Sequence, residues 1–126
     1  MDRQKIKVEE ILYQEYSGRL RQIEEKQDDI EKEIRQVDAL WDETDDTYSD
    51  VTRLFRDIYE HCEDREFCGM MEDCEERFRD QYHDIERKLG EEKEALEREK
   101  QRAYQDEDEI QRRWEEEKRK LLNSNG

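Results

Sequence analysis

The chain has 126 residues, of which 51% are charged and 31% are hydrophobic, with no proline and four glycines. Forty acidic residues against 24 basic ones give a formal charge of −16. Free nucleic acid and anionic membrane surfaces both require a positive protein face, so the composition argues against either as a partner. No stretch approaches the ~18 apolar residues of a membrane span, and no apolar signal region follows Met1. We therefore expect a cytoplasmic protein without membrane insertion.

High charge and few apolar residues would also fit a disordered chain. Periodicity argues against disorder, because apolar residues recur at alternating spacings of three and four between Ile6 and Cys62. That spacing is typical of helices that wrap around each other. The first helix is predicted at about residues 5–62, continuous through Asp42–Asp50 although Thr, Ser and Asp are weak helix formers. The central part of its apolar row, called the seam below, consists of Leu20, Ile23, Gln27, Ile30, Ile34, Val37, Trp41, Thr44, Tyr48, Val51, Phe55, Ile58 and Cys62.

The periodic pattern stops between Cys62 and Met71, where Asp64 is a candidate N-cap and Gly69 a candidate C-cap residue. We predict a turn at about 63–71 and a second helix at about 72–122. The expected fold is all-α: an elongated antiparallel two-helix coiled-coil hairpin that forms one unit over residues 1–126. Folding about this turn predicts four facing pairs, namely Phe55 with Phe78, Tyr48 with Ile85, Ile23 with Ile110, and Leu20 with Trp114.

The two predicted helices do not match in apolar content. The second one carries charged residues where its other apolar position should recur, at Glu92, Glu99, Asp106, Arg113 and Lys120. A leucine or isoleucine left in water loses ~1.5 to 3 kcal/mol relative to a buried one. Contiguous apolar patches are uncommon on monomers, so we expect another helix to cover the first one. The predicted partner-binding residues are Leu20, Ile23, Ile30, Ile34, Val37, Leu40 and Trp41. A homodimer that forms a four-helix bundle stays open as an alternative.

No residue grouping predicts catalysis, a cofactor or a metal. Cys62, Cys68 and Cys74 are six residues apart, whereas structural zinc sites use a close pair two to four residues apart. A cytosolic location and an odd cysteine count favour free thiols, although Cys62 and Cys74 could face each other and oxidise. The acidic run Asp42–Asp50 lacks the glycine and terminal glutamate of a calcium loop. We therefore expect a protein that is not an enzyme.

Four segments carry a resemblance to a known family: residues 54–60 (LFRDIYE), 64–67 (DREF), 92–100 (EKEALEREK) and 105–110 (QDEDEI). They resemble the LXG-associated α-helical proteins that Gram-positive bacteria encode beside LXG toxins, specifically the larger, hairpin-type kind. The chain departs from the WXG-like kind, because Trp41 is followed by Asp42 and Glu43 instead of a Trp-x-Gly turn.

The resemblance implies a chaperone-like targeting factor. Such a protein binds the helical N-terminal domain of its LXG toxin together with a second small helical protein, and directs the toxin to the type VIIb secretion system. Whether the factor leaves the cell with the toxin stays open. The alternative function is a homo-oligomeric coiled-coil scaffold without a toxin partner.

Overall fold

The computed structural model describes residues 3–123, and within them the protein is all-α. Helix α1 spans Arg3–Glu60 and helix α2 spans Arg65–Asn123, with 58 and 59 residues respectively. The two helices run antiparallel and pack together, which confirms the predicted hairpin. Helix α1 is continuous through Asp42–Asp50, as expected. The Thr44 hydroxyl donates to the Leu40 carbonyl at 2.8 Å, so this weak helix former is accommodated by a bond to the preceding turn.

The turn is shorter than predicted and occupies residues 61–64 instead of 63–71. Asp64 is the N-cap, as predicted, because its Oδ1 accepts a hydrogen bond from the Glu66 backbone N–H at 3.0 Å. Helix α2 therefore begins at Arg65, directly after this cap, and includes Gly69. The prediction of Gly69 as a C-cap residue was therefore wrong, and no described glycine has a positive φ.

A disulfide joins Cys62 at the turn to Cys68 in the first turns of α2. The expectation of free thiols was wrong for these two cysteines, and Cys74 is the free and exposed one. The four-residue turn explains the difference, because it places the Cα atoms of Cys62 and Cys68 6.1 Å apart, within the usual range for a disulfide.

Contacts between the helices divide into two compact units. The turn unit consists of residues 34–95. Its interface is rich in aromatic rings: Tyr48 stacks on Phe78 and Tyr82 with ring centroids 5.8 and 4.0 Å apart. Phe55 and Phe78 lie 6.3 Å apart, which confirms that predicted pair.

The terminal unit consists of the described residues 3–33 and 96–123. Trp114 stacks on Tyr16 at 5.1 Å and contacts Tyr13 edge-on at 5.9 Å. The sequence had placed Trp114 opposite Leu20, but its ring contacts lie about one to two turns nearer the N-terminus.

Few side chains are fully buried within residues 3–123. The buried apolar residues are Ile30 at 4% exposure, Leu89 at 9%, Leu96 at 5% and Ala103 at 1%. Neither helix, over the same residues, contains a segment long and apolar enough to cross a bilayer.

Candidate partner-binding surface

The charged residues that interrupt the apolar row of α2 point away from α1. Leu89, Leu96 and Ala103 recur every seven residues and are buried, while Glu92 and Glu99 are exposed. The positions four residues after the buried ones are half-buried instead, and they hold Lys93, Lys100 and Glu107. Helix α2 therefore contacts α1 with a mixed face, one row of which is apolar and the other charged or polar.

The charged row pairs with polar residues on one flank of α1. In the turn unit Lys93 Nζ lies 2.8 Å from Asp38 Oδ1. In the terminal unit Lys100 Nζ lies 3.4 Å from Glu31 Oε1, and Gln27 Nε2 donates to Glu107 Oε2 at 2.7 Å. Ion pairs this exposed contribute up to ~1 kcal/mol each. These contacts join the two helices through polar groups, so they add no apolar cover to the α1 seam.

The terminal unit contains three of the seven predicted partner-binding residues. Leu20 and Ile23 are half-buried, whereas Ile30 is 4% exposed and belongs to the hairpin core. Leu20 and Ile23 thus keep surface that another protein could contact, and Ile30 does not.

The turn unit contains the other four. Ile34, Val37 and Trp41 are half-buried, and Leu40 is 50% exposed. The Trp41 ring lies next to Gly90 of α2. A side-chain Cβ atom at position 90 would be 3.6 Å from Trp41 Cη2, which is ordinary van der Waals contact. Much of the Trp41 side chain is therefore used inside the hairpin, and Leu40 is the most accessible of the predicted residues.

A groove runs beside Leu40 in the turn unit, with a volume of about 290 Å³. Leu40 forms one wall and Ile85 of α2, which is 45% exposed, forms the other. The groove was not predicted from the sequence. Its existence depends on how α2 is rotated, and the only sequence signal was the apolar residue Ile85 at a position where later repeats carry Glu92 and Glu99.

The electrostatics of the groove are set by carboxylates. Tyr82 lines the groove, and its hydroxyl donates a hydrogen bond to Asp45 Oδ1. This bond, together with partial burial and the nearby Glu86, raises the pKa of the Tyr82 hydroxyl above its usual value. The hydroxyl therefore stays protonated and keeps donating to the carboxylate throughout the physiological pH range.

Metal-binding clusters and the clefts of the terminal unit are the other candidate sites. Within residues 3–123 no three His, Cys, Asp or Glu side chains converge in a way that could hold a metal ion. A cleft of about 70 Å³ in the terminal unit is lined by Leu12, Tyr16, Ile110 and Trp114 among others, and it is small. A second cleft in the terminal unit, of about 460 Å³, is larger than the groove beside Leu40 and is lined by Ile6, Tyr13, Trp114 and four polar residues.

Comparison with known proteins places the chain in a family. Residues 7–121 match the model of a family described as "Protein of unknown function (DUF3958)". No curated protein matches the chain, and no solved structure does. The match begins near the start of α1 and ends near the end of α2, so it spans the whole hairpin. The chain therefore belongs to the DUF3958 family.

Proposed function

We propose that this protein is a non-enzymatic adaptor that binds the helical N-terminal domain of an LXG toxin and helps direct it to type VIIb secretion. The observation that carries the proposal is the incomplete cover of α1. Of its seven predicted binding residues, Ile30 alone is buried in the hairpin, five are half-buried, and Leu40 is half exposed. A helix laid along this seam would remove the remaining apolar surface from water.

The resemblance to hairpin-type LXG-associated proteins names the partner, with a second small helical protein as part of the same complex. The acidic surface of the hairpin agrees with a protein partner rather than nucleic acid. Cytoplasmic binding before export is the step at which such an adaptor would act.

The test is co-expression of the hairpin with the N-terminal domain of the LXG toxin encoded beside it, in the presence and absence of the second small helical protein. Size-exclusion chromatography with light scattering should show a complex. Ile23→Asp in the terminal unit and Ile34→Asp in the turn unit should each abolish it, because a charge would enter the covered seam. Leu40→Asp, at a more exposed position, should weaken the complex with the least risk to the fold.

Ile11→Asp is the matched control, since Ile11 lies on the same helix, is 55% exposed and stands outside the predicted surface. Circular dichroism of each variant establishes that the helices are retained. A complex that survives all three substitutions would show that the predicted binding surface is wrong. A tight homodimer that excludes the toxin domain would support the scaffold function instead.

A further inference from the structure

The groove of the turn unit is lined by five aliphatic or aromatic residues and four polar ones. Tyr48 of α1 and Phe78 of α2, whose rings stack, line it together with Leu40 and Ile85. The α1 residues that line it run from Leu40 to Tyr48, a length of about 12 Å or two helical turns. The groove thus has the size and character to receive two or three aliphatic side chains from one face of a short helix.

The groove lies on the flank of the hairpin that the ion pairs leave open. Asp38 of α1 pairs with Lys93, and Asp45 accepts a hydrogen bond from the Tyr82 hydroxyl. The two aspartates are seven residues apart and therefore lie on the same flank of the seam. Leu40 comes two residues after Asp38, which places it about 200° away around the helix, on the other flank. Polar contacts therefore close one side of the turn unit, and the apolar groove is on the opposite side.

The charge around the groove restricts what can occupy it. Residues 42–50 contain five acidic residues and no basic one, and Glu43 lines the groove itself. Of the six basic residues of α2 in this unit, four are engaged with carboxylates of their own helix or with Asp38. The recorded pairs are Arg79 with Glu75, Arg87 with Asp84 and Glu91, Lys88 with Asp84, and Lys93 with Asp38.

A second copy of this chain is a poor occupant, because the turn unit has 21 acidic and 9 basic residues, and two such surfaces repel. An occupant with lysine or arginine beside its apolar face could instead form ion pairs with Glu43 and the other acidic residues of 42–50. The requirement for apolar and cationic groups on neighbouring faces is met by a basic amphipathic helix.

We infer that the groove between Leu40 and Ile85 docks a basic amphipathic helix, with aliphatic residues in the groove and lysine or arginine side chains toward Glu43 and the acidic segment 42–50. The inference rests on the proposed function only in treating the hairpin as a binding protein. It adds the location of one binding element and the chemistry of the partner helix.

A synthetic peptide tests this inference directly. The probe is a 14-residue peptide of leucine and lysine with leucine at i, i+3, i+4 and i+7, labelled with fluorescein for anisotropy measurements on the full-length hairpin. The comparison peptide has the same composition in scrambled order, which keeps the charge and removes the apolar face. We expect the amphipathic peptide to bind at least tenfold more tightly than the scrambled one, and a leucine–glutamate version not to bind.

Variants locate the binding. Leu40→Ser and Ile85→Ser remove one wall each without changing the charge, and each should raise the Kd of the amphipathic peptide about tenfold or more, since a desolvated aliphatic contact is lost. Leu122→Ser is the control, because Leu122 is more exposed than Leu40 and lies in the terminal unit. Glu43→Gln should raise the Kd by a smaller factor of about two to five.

Equal binding of the two lysine peptides, or unchanged binding in both Leu40→Ser and Ile85→Ser, would overturn the inference. These results are separable from the adaptor test. If the toxin domain binds and the groove variants have no effect on it or on the peptide, the groove is wrong and the adaptor function stands. If the peptide binds in the groove and no toxin domain is captured, the groove stands and the adaptor function is wrong.

Discussion

The turn unit and the terminal unit are built from the same two helices, yet their interfaces differ in kind. In the turn unit Tyr48, Phe78 and Tyr82 form a stack of rings across the interface, and the disulfide links Cys62 to Cys68. The terminal unit buries Ile30, Leu96 and Ala103, and its ring contacts gather around Trp114. Ring stacking thus occurs in both units, whereas three of the four buried aliphatic residues within residues 3–123 lie in the terminal unit and one, Leu89, lies in the turn unit.

The two units also differ in charge. The turn unit has 21 acidic and 9 basic residues, and the terminal unit, over residues 3–33 and 96–123, has 18 and 15. Most of the negative excess therefore lies in the turn unit. The difference indicates that the terminal unit contributes mainly tight packing, whereas the turn unit combines packing with an open surface that carries a strong negative field.

The largest effect is expected from Ile30→Ala in the terminal unit. Truncation of a buried isoleucine removes its transfer free energy and leaves a cavity, so the free energy of unfolding should fall by about 2 to 5 kcal/mol. Urea denaturation followed by circular dichroism measures the change. Ile11→Ala, the same substitution at an exposed position of the same helix, should stay within about 0.5 kcal/mol. Similar losses in the two variants would contradict the assignment of Ile30 to the core.

Tyr48→Ala should produce the corresponding loss in the turn unit. Tyr48 contacts two rings, each worth about 0.5 to 1.5 kcal/mol beyond buried area, so we expect a loss of about 1 to 3 kcal/mol. Hydrogen exchange locates the effect: amides of residues 34–95 should exchange faster, while Ile30→Ala should act first on residues 3–33 and 96–123. Tyr104→Ala, at an exposed tyrosine, is the control. Uniform acceleration along both helices in both variants would show that the two interfaces do not open separately.

Reduction of the Cys62–Cys68 disulfide should have a moderate effect confined to the turn unit. The loop it closes is short, and the chain-entropy relation gives about 2 kcal/mol for a loop of this length. Thermal unfolding with and without dithiothreitol measures the loss. The double variant Cys62→Ser/Cys68→Ser should unfold like the reduced protein and show no response to the reductant. A wild-type chain that is equally stable in both conditions would contradict a stabilising disulfide.

The smallest effect, and a stabilising one, is expected from Gly69→Ala. Gly69 lies inside α2 with nothing within 4 Å of an added Cβ, so alanine should raise the free energy of unfolding by about 0.5 to 1 kcal/mol. Gly18→Ala is the counterpart in the terminal unit and should act similarly. A loss of stability at Gly69 would mean that this residue ends a helix, as the sequence pattern first suggested.

The sequence was sufficient for the hairpin because the three-and-four spacing from Ile6 to Cys62 depends only on helix geometry. It also placed Phe55 near Phe78 and identified Asp64 as the cap. It missed the turn length, since Gly69 is compatible with both a helix interior and a helix end, and propensity alone does not separate the two. The cysteine pairing was missed for the same reason, because Cys68 comes within reach of Cys62 only when α2 begins at Arg65.

The candidate surface was predictable only in part. Heptad counting found the α1 seam and correctly marked Glu92 and Glu99 as residues that do not cover it. It could not determine the rotation of α2 that brings Lys93 and Lys100 inward and leaves Ile85 open. That rotation reflects the sum of many small contacts, and the role of the seven predicted partner-binding residues stays a prediction.

The small number of buried side chains has a thermodynamic consequence. The heat capacity change of unfolding scales with newly exposed apolar area, and within residues 3–123 four apolar residues are buried. Per residue, this change should lie below the ~12 to 15 cal/mol/K of globular domains. The stability curve is then shallow, so the hairpin should change little in stability on cooling and melt over a broad temperature range.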